Sequence, residues 1–359
     1  MVQTRLTNNK KKGSRAEELA KEQRAISVSE FFLKNRHLLG FDNPRKALLT
    51  TIKEAVDNSL DACEDMRVLP EIDIKISQAS EERFKVMIED NGPGIVKEQI
   101  PKIFAKLLYG SKFHKLKCSR GQQGIGISAA ALYAQLTTGK PTRIMSKTGQ
   151  NSKAHYYELH LNTKTNDPEI IKEEVREWEK DHGTKIEMEM EGRYHKGKLS
   201  VLEFLQLTAI SNPHATIKFQ GPDDEIKEFI RGTEELPIDA KEIKPHPYGV
   251  ELGILISMLK DTRQKTLQSF LQSEFSRVSA KVAKEICQKA GIFERARPSR
   301  IARNEADNLF SSIKATKIMA PPTNCLSPIG EEQMLKGMKK EVDAEFYASI
   351  TRRPNVYRG

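Results

Sequence analysis

The sequence predicts an α+β protein in which a two-layer α/β sandwich is followed by a small all-helical domain. The chain has 359 residues, enough for two or three domains. Helical and strand patterns alternate between about residues 29 and 219, as in a sheet covered by helices. From about residue 250 to residue 314 the strand signal nearly disappears, and short helical patterns take its place. We therefore expect the sandwich at residues 26–240 and the helical domain at 241–318, after a basic flexible arm at 1–25.

Two helices and two strands should open the sandwich. Apolar residues at helical spacing predict a helix in SEFFLKNRHLLGF that stops at Gly40. The pair Asn43-Pro44 is a start signal for a second helix, which should end near residue 66. Alternating apolar residues then predict strands around residues 72–76 and 84–88, joined by the polar turn SQASEER.

The rest of the sandwich alternates in the same way. A helix is expected over about residues 97–109, then a Lys-rich segment without periodicity over 110–120, and then the helix ISAAALYAQL after a glycine loop. Strand patterns follow in TRIMSK, HYYELHL, EIIKEEV and TKIEMEME, and their polar connections indicate an antiparallel or mixed sheet. A helix at about 199–210 and the strand ATIKF complete this part.

Charge and composition restrict the class of protein. The formal net charge of +10 favours a polyanionic partner such as nucleic acid. Arg295, Arg297, Arg300 and Arg303 cluster in the helical region, where DNA contact and a solvated face packed on the sandwich explain them equally well. No CxxC pair occurs among the four cysteines, which disfavours structural zinc. A cytoplasmic protein without a membrane partner is predicted, since no apolar run spans a bilayer and the N-terminus lacks a secretory signal's apolar core.

Two polar patterns point to a ligand site. Glu54, Asn58 and Asp61 fall at positions i, i+4 and i+7 of the second predicted helix, and therefore on one face. The sequence Asp90-Asn91-Gly92-Pro93-Gly94 follows the second strand directly. A carboxylate there could accept a hydrogen bond from a ring amine, and Gly92 and Gly94 would allow a close approach. Taken separately, a solvated stripe and an ordinary turn would also explain these patterns.

Glycines supply two further patterns. The loop Gly121-Gln122-Gln123-Gly124-Ile125-Gly126 opens a helix at Ile127, and backbone amides at a helix N-terminus bind phosphate. The loop lacks the Gly-Lys-Ser/Thr of a Walker loop and, unlike a dinucleotide fingerprint, does not follow a strand. Gly183-Thr184 begins a strand, where the hydroxyl could bind the same ligand. Each pattern alone is also a common turn or loop.

Together and in this order, the patterns resemble the ATP pocket of the gyrase, Hsp90, histidine-kinase and MutL superfamily, which has the Bergerat fold. More specifically, AISVSEFFLKNRHLLGF, KEAVDNSLDAC, LLYGSKFH and RGQQGIGISAAALYAQL are similar to the B subunits of DNA topoisomerase VI, as are CLSPIGEEQMLKGMKK and RRPNVYRG. The similarity covers nearly the whole chain from about Ala25. It implies that the helical region is that family's helix–two-turns–helix domain and that residues 319–359 begin its transducer domain.

The resemblance implies ATP and Mg²⁺ as cofactors and a role for each site residue. Glu54 would polarise the attacking water as general base, and Asn58 would bind magnesium. Asp90 would hold the adenine amino group, with Thr184 nearby. The other positions implied in nucleotide binding are Asp61, Gly92, Gly94, Ser111, Lys112, Arg120, Gly121, Gln122, Gln123, Gly124, Ile125, Gly126 and Ile127.

The resemblance also implies partners and a reaction cycle. ATP binding would form a homodimer around a DNA segment, and a separate topoisomerase VI A subunit would cut the DNA. Because the sequence ends where the transducer begins, it lacks that domain's lysine for the γ-phosphate, and we expect slow hydrolysis. The alternative is a nucleotide-gated dimerisation clamp with negligible turnover. A histidine kinase is disfavoured, since the N-terminal segment contains only His37 and no helical hairpin.

Overall fold

A mixed β-sheet organises the first two thirds of the chain in this computed structural model, which describes residues 19–20, 23, 25–111, 116–120 and 124–352. The strands found there are β1 (Glu71–Ser80), β2 (Arg83–Asp90), β3 (Thr142–Lys147), β4 (Ala154–Asn162), β5 (Asp167–Arg176), β6 (Gly183–Glu191), β7 (Thr216–Gln220) and β8 (Ile226–Phe229). They lie in the order β5-β4-β3-β6-β2-β1-β7-β8. Only β1 and β7 pair in parallel, and the other neighbours are antiparallel. The sequence predicted an antiparallel or mixed sheet, and the structure shows the mixed one.

The helices cover one face of the sheet and then form a separate group. They are α1 (Val28–Lys34), α2 (Pro44–Met66), α3 (Ile100–Ala105), α4 (Gly126–Thr138), α5 (Val201–Ser211), α6 (Leu252–Asp261), α7 (Leu267–Glu274), α8 (Ala280–Ala290), α9 (Arg303–Ala315) and α10 (Glu331–Glu341). The longest of them, α2, starts where the sequence predicts, because Pro44 stands in its first turn and the Asn43 side chain accepts the Lys46 N–H at 2.9 Å.

Two hydrophobic clusters form the core. In the first, alternate residues of β1 and β2, such as Ile74 and Val86, pack under apolar residues of α2, such as Ile52. The second cluster joins α6, α7, α8 and α9 around residues such as Phe270 and Leu309. The α+β class and the α/β sandwich are thereby confirmed. The domain boundaries at residues 25, 240 and 318 stay predictions, and most of the predicted arm lies outside the described residues.

Two predicted helices differ from the structure, and one strand was not predicted. The helix expected over residues 97–109 is a 3₁₀ turn at Lys97–Gln99 followed by α3, which ends at Ala105. It stops there because Lys106 is extended and the Asn166 amide pairs with both the N–H and the C=O of Leu107, each at 3.0 Å.

The first predicted helix is divided at Asn35. Helix α1 ends at Lys34, and a 3₁₀ turn at Arg36–Leu39 follows before the left-handed Gly40. Strand β8 was not predicted at all. Within the described residues no helix combines the length and apolarity needed to cross a membrane.

Candidate functional site

A cavity of about 680 Å³ lies between α2, the beginning of α4 and the ends of β2 and β6. Its volume lies within the usual range for small-molecule and cofactor sites. It brings together most of the predicted site residues: Glu54, Asn58, Asp61, Asp90, Gly94, Ser111, Arg120, Gly124, Ile125, Gly126, Ile127 and Thr184. Gly92 is buried behind Asp90, whereas Lys112, Gly121, Gln122 and Gln123 lie outside the described residues. Apolar walls formed by Ile103, Phe104 and Ile186 suit a flat ring.

Asp90 is the polar centre of the cavity floor. Its side chain is only 6% exposed. One carboxylate oxygen, Oδ1, accepts the backbone N–H groups of Gly92 at 2.9 Å and Thr184 at 3.2 Å. The other, Oδ2, accepts the Ser59 hydroxyl at 2.9 Å. The carboxylate is thus held in one orientation by three donors from separate elements, and Oδ2 retains capacity for a further donor.

Burial sets the electrostatics of Asp90. It raises the pKa of the Asp90 carboxyl, while the hydrogen bonds from Gly92, Ser59 and Thr184 act in the opposite direction. An ionised carboxylate in such a place is stabilised by an additional donor more strongly than one in water would be. The site is therefore suited to a ligand that presents an N–H group.

The turn after β2 is built by side-chain hydrogen bonds and close packing. The Asn91 amide accepts the Glu71 N–H at 2.8 Å and donates to the Leu69 carbonyl at 3.0 Å. Gly94 has φ +67°, and a Cβ there would lie 2.1 Å from the carbonyl oxygen of Lys147. Only glycine fits that position, so the backbone can pass close to β3 and leave the cavity open.

Ser146 holds the side of the cavity formed by Ile95 and Thr184 in place. Its hydroxyl accepts the Ile95 N–H at 2.8 Å and lies 3.1 Å from the carbonyl oxygen of Gly183, to which it donates. It also lies 3.2 Å from the Thr184 hydroxyl. The Thr184 side chain is therefore positioned by β3 as well as by its own strand.

Glu54 and Asn58 occupy successive turns of α2 beside the start of α4. A Cβ added to Gly126 would lie 1.7 Å from Oε2 of Glu54, so the carboxylate rests directly against the beginning of α4. Both side chains line the cavity and are half-buried. This places an acid and an amide beside the N-terminus of a helix, a position that suits an anion.

Arg120 and Asp61 pair with each other at the cavity's edge. The guanidinium Nη1 of Arg120 lies 2.8 Å from Asp61 Oδ1 and 2.8 Å from Glu64 Oε2, and its backbone N–H donates to Asp61 Oδ2 at 3.2 Å. Nη2 donates to Asn212 at 2.6 Å. Asp61 and Arg120 therefore hold the chain leading into the glycine loop.

Two residues of the site, Ser59 and Ser146, were not predicted from the sequence. Ser59 binds Asp90 and Ser146 orients Thr184. A signal for Ser146 is present in TRIMSK, where it occupies an inward-facing position otherwise taken by Thr142 and Ile144. Ser59 is adjacent to Asn58, but its partner is 31 residues away in sequence, and the spacing gives no sign of that contact.

Two regions of the chain match families of known proteins. Residues 43–165 match the family of histidine kinase-, DNA gyrase B- and HSP90-like ATPases, and residues 321–359 match the transducer of the topoisomerase VI B subunit. Relatives that are named as B subunits of type 2 DNA topoisomerase 6 include that of Methanococcoides burtonii, which is 55% identical over 96% of this chain and 56% of its own length. The Archaeoglobus fulgidus relative is 52% identical over 94% of this chain and 56% of its own length.

A solved structure, the Aquifex aeolicus MutL ATPase domain complexed with ADP, aligns with a TM-score of 0.34 and 16% identity over 52% of this chain and 64% of that one, which is a weak likeness. The chain spans about half the length of the B subunits that it matches. It contains a nucleotide-binding domain of the gyrase and HSP90 type. This sequence identity extends through both matched regions. The chain therefore belongs to the topoisomerase VI B-subunit family.

Proposed function

We propose that the cavity binds ATP with magnesium and hydrolyses it, and that this drives DNA strand passage by a type II topoisomerase. The observation that carries the proposal is the buried Asp90 carboxylate, held by Gly92, Ser59 and Thr184 with acceptor capacity left over. An adenine amino group is a donor that fits this acceptor, and the neighbouring apolar walls would enclose the ring. Thr184 would contribute its hydroxyl on the same side.

The phosphates would lie at the opposite end of the cavity. Gly124, Ile125, Gly126 and Ile127 line it there, and the first N–H groups of α4 have no partners within the helix. The helix dipole would add to the attraction for an anion. Ser111, at the edge of the cavity, would approach the phosphates from the segment that precedes the glycine loop.

Magnesium would be held by Asn58 together with phosphate and water oxygens. Magnesium prefers oxygen ligands and is usually bound by one or two protein groups. Within the described ranges, no three His, Cys, Asp or Glu side chains are grouped so as to hold a metal ion. The ion would neutralise phosphate charge, and Asn58 would fix its place relative to Glu54.

Glu54 is the proposed general base. It lies against Gly126, next to the proposed phosphate position, where it would orient a water molecule and accept its proton. The reaction would be in-line phosphoryl transfer to water, in which positioning and charge stabilisation supply most of the catalysis. Other groups of the site would bind the nucleotide without taking up a proton.

ATP hydrolysis is tested by replacing Glu54. We expect Glu54→Ala to reduce turnover by at least about 100-fold, because general-base catalysis contributes that much or more. Binding of adenylyl-imidodiphosphate should stay within a few-fold of wild type. Glu81→Ala, on the exposed turn between β1 and β2, is the matched control and should change neither quantity.

Two results would assign the cavity differently. Turnover unchanged by Glu54→Ala would show that Glu54 takes no part in the chemistry. Nucleotide binding with negligible turnover in every form, wild type included, would favour the dimerisation clamp.

In the proposed cycle, ATP binding joins two copies around DNA and an A subunit performs the cleavage.

DNA is the proposed macromolecular partner of the helical region. Arg295, Arg297, Arg300 and Arg303 are exposed, so they do not form a face packed against the sandwich. Such exposed guanidinium groups can contact phosphates. We expect replacing Arg295, Arg297 and Arg300 together by Ser to weaken duplex binding and to lower the salt dependence by about 0.9 in the log–log slope for each lost phosphate contact. Filter binding at several salt concentrations measures this, and an unchanged slope would exclude the cluster.

A further inference from the structure

Arg120 connects three elements at a position just before the glycine loop. Its guanidinium contacts Asp61 and Glu64, which lie three residues apart on α2. The same group donates to Asn212, the C-cap residue of α5, at 2.6 Å. Helices α2 and α5 are therefore joined through the residue that leads into the proposed phosphate loop.

The charges around Arg120 make this junction firm. Glu64 accepts from Arg120 Nη2 at 2.7 Å and contacts His214 Nε2 at 2.8 Å. Burial opposes ionisation of Glu64, but the hydrogen bonds from His214 and Arg120 outweigh it and hold its pKa below the usual value. Asn212 and His214 are themselves buried. A half-buried guanidinium with several charged and polar partners has little freedom to reorient.

The last turn of α5 also contacts α10, which lies in the region matched by the transducer family. A Cβ added to Gly337 of α10 would lie 2.2 Å from the carbonyl oxygen of Ile210. Ile210 stands two residues before Asn212. In addition, the Gln206 amide donates to the Glu341 carbonyl at 3.1 Å. The end of α5 thus has Arg120 as a partner at its C-cap and the backbone of α10 against its last turn.

A second connection reaches the same region of the chain. The Cys118 N–H donates to the Cys325 carbonyl at 2.7 Å, and the Ile243 N–H donates to the Leu116 carbonyl at 3.1 Å. Cys325 lies in the segment that leads to α10. The stretch that ends at Arg120 is therefore attached both to α5 and to the chain entering the transducer region.

We propose that Arg120 is a positioning residue that couples the cavity, which it lines, to helix α10 through Asn212 and the end of α5. A nucleotide in the cavity that shifts Arg120 would move the last turn of α5 with it. Because coupling is reciprocal, a displaced α10 would in turn alter nucleotide affinity. This inference rests on the proposed nucleotide site.

A double-mutant cycle tests the coupling. Affinity for adenylyl-imidodiphosphate with magnesium is measured for wild type, Asn212→Ala, Gly337→Ala and the double variant, none of which alters a residue that lines the cavity. Each single change should weaken binding by about fivefold or more, the lower range for coupled sites. The double variant should bind no more weakly than the poorer single variant, since both changes interrupt one connection.

The control is Gly253→Ala in α6, where an added Cβ meets no atom within 4 Å. Its affinity should equal that of wild type. If Gly337→Ala does not fold in a thermal unfolding test, Gln206→Ala removes another contact between α5 and α10.

Amide hydrogen exchange is a second measurement, and its response to nucleotide would not be changed by loss of packing alone. Nucleotide should change exchange at residues 331–341 in wild type and not in Asn212→Ala.

The outcomes separate this inference from the proposed function. No binding by wild type would contradict the nucleotide site and this inference with it. Binding by wild type with unaltered single variants, or with effects that multiply in the double variant, would contradict only the coupling. Exchange at α10 that ignores nucleotide in wild type would contradict it too.

Discussion

Asp90 combines two properties that oppose each other in a folded protein. It is buried, which disfavours its charge, and it accepts three hydrogen bonds, which favour it. Burial prevails, and the pKa of Asp90 is raised from its ordinary value of 3.8. Below that value both folded and unfolded chains carry a protonated Asp90, and no free energy of unfolding is lost. As the pH rises from that value through the higher folded pKa, the unfolded chain ionises more readily than the folded chain. The free energy of unfolding therefore falls over this range.

This sign predicts the behaviour of Asp90→Asn. The amide keeps an oxygen for the N–H groups of Gly92 and Thr184 but never ionises. We expect its free energy of unfolding to increase relative to wild type as the pH rises from about 3 to neutrality. Urea unfolding at several pH values measures the difference, and Asp307→Asn, exposed on α9, controls for the loss of one charge. A difference that stays constant or falls with pH would show that burial does not dominate at Asp90.

Single residues also show how far sequence reasoning extends to the site. Glu54, Asn58 and Asp90 were predicted because their spacing and order carry information, and the structure brings them to one cavity. The partners of Arg120 were not predicted. Asn212 is 92 residues further along the chain, and only the folded arrangement of α2 and α5 places it there.

At the scale of elements, the turn between β2 and α3 depends on a close backbone approach. Gly94 and Gly139 both have left-handed backbones, with φ of +67° and +70°. A Cβ on Gly94 would meet the Lys147 carbonyl at 2.1 Å, whereas one on Gly139 would meet nothing within 4 Å. The two positions therefore separate the effect of backbone conformation from that of the approach.

We expect Gly139→Ala to lower the free energy of unfolding by about 1–2 kcal/mol, the cost of a left-handed alanine. Gly94→Ala should lower it further, because the turn must also move away from β3 and take Asp90 with it. Urea unfolding of both variants measures this. Equal losses at the two positions would mean that the contact with β3 does not constrain the turn.

The elements that were predicted well are those with a strong local signal. Helix α2 has Asn43 and Pro44 at its start, and β1 and β2 alternate regularly. The helix predicted to residue 109 fails because its end is decided by Asn166, from the connection between β4 and β5. Strand β8 is short, and its pairing with β7 gives it an identity that its own four residues do not.

At the scale of the whole molecule, the sandwich and the helical region have separate hydrophobic clusters. The alternation of helical and strand patterns was sufficient to predict the sandwich. The change of composition near residue 250 was sufficient to predict the helical region. It could not predict strand order or the attachment of Leu116 and Cys118 to the segments on either side of the helical region. Those depend on contacts between residues that are far apart in sequence.

Calorimetric titration with adenylyl-imidodiphosphate and magnesium tests the nucleotide site most directly. Wild type should bind one nucleotide per chain. Asp90→Asn should weaken binding by at least about tenfold, because it replaces a charged acceptor with an amide, and hydrogen bonds to charged groups contribute about 1.5–3 kcal/mol. No heat of binding in wild type, or equal affinity in the two proteins, would contradict the account.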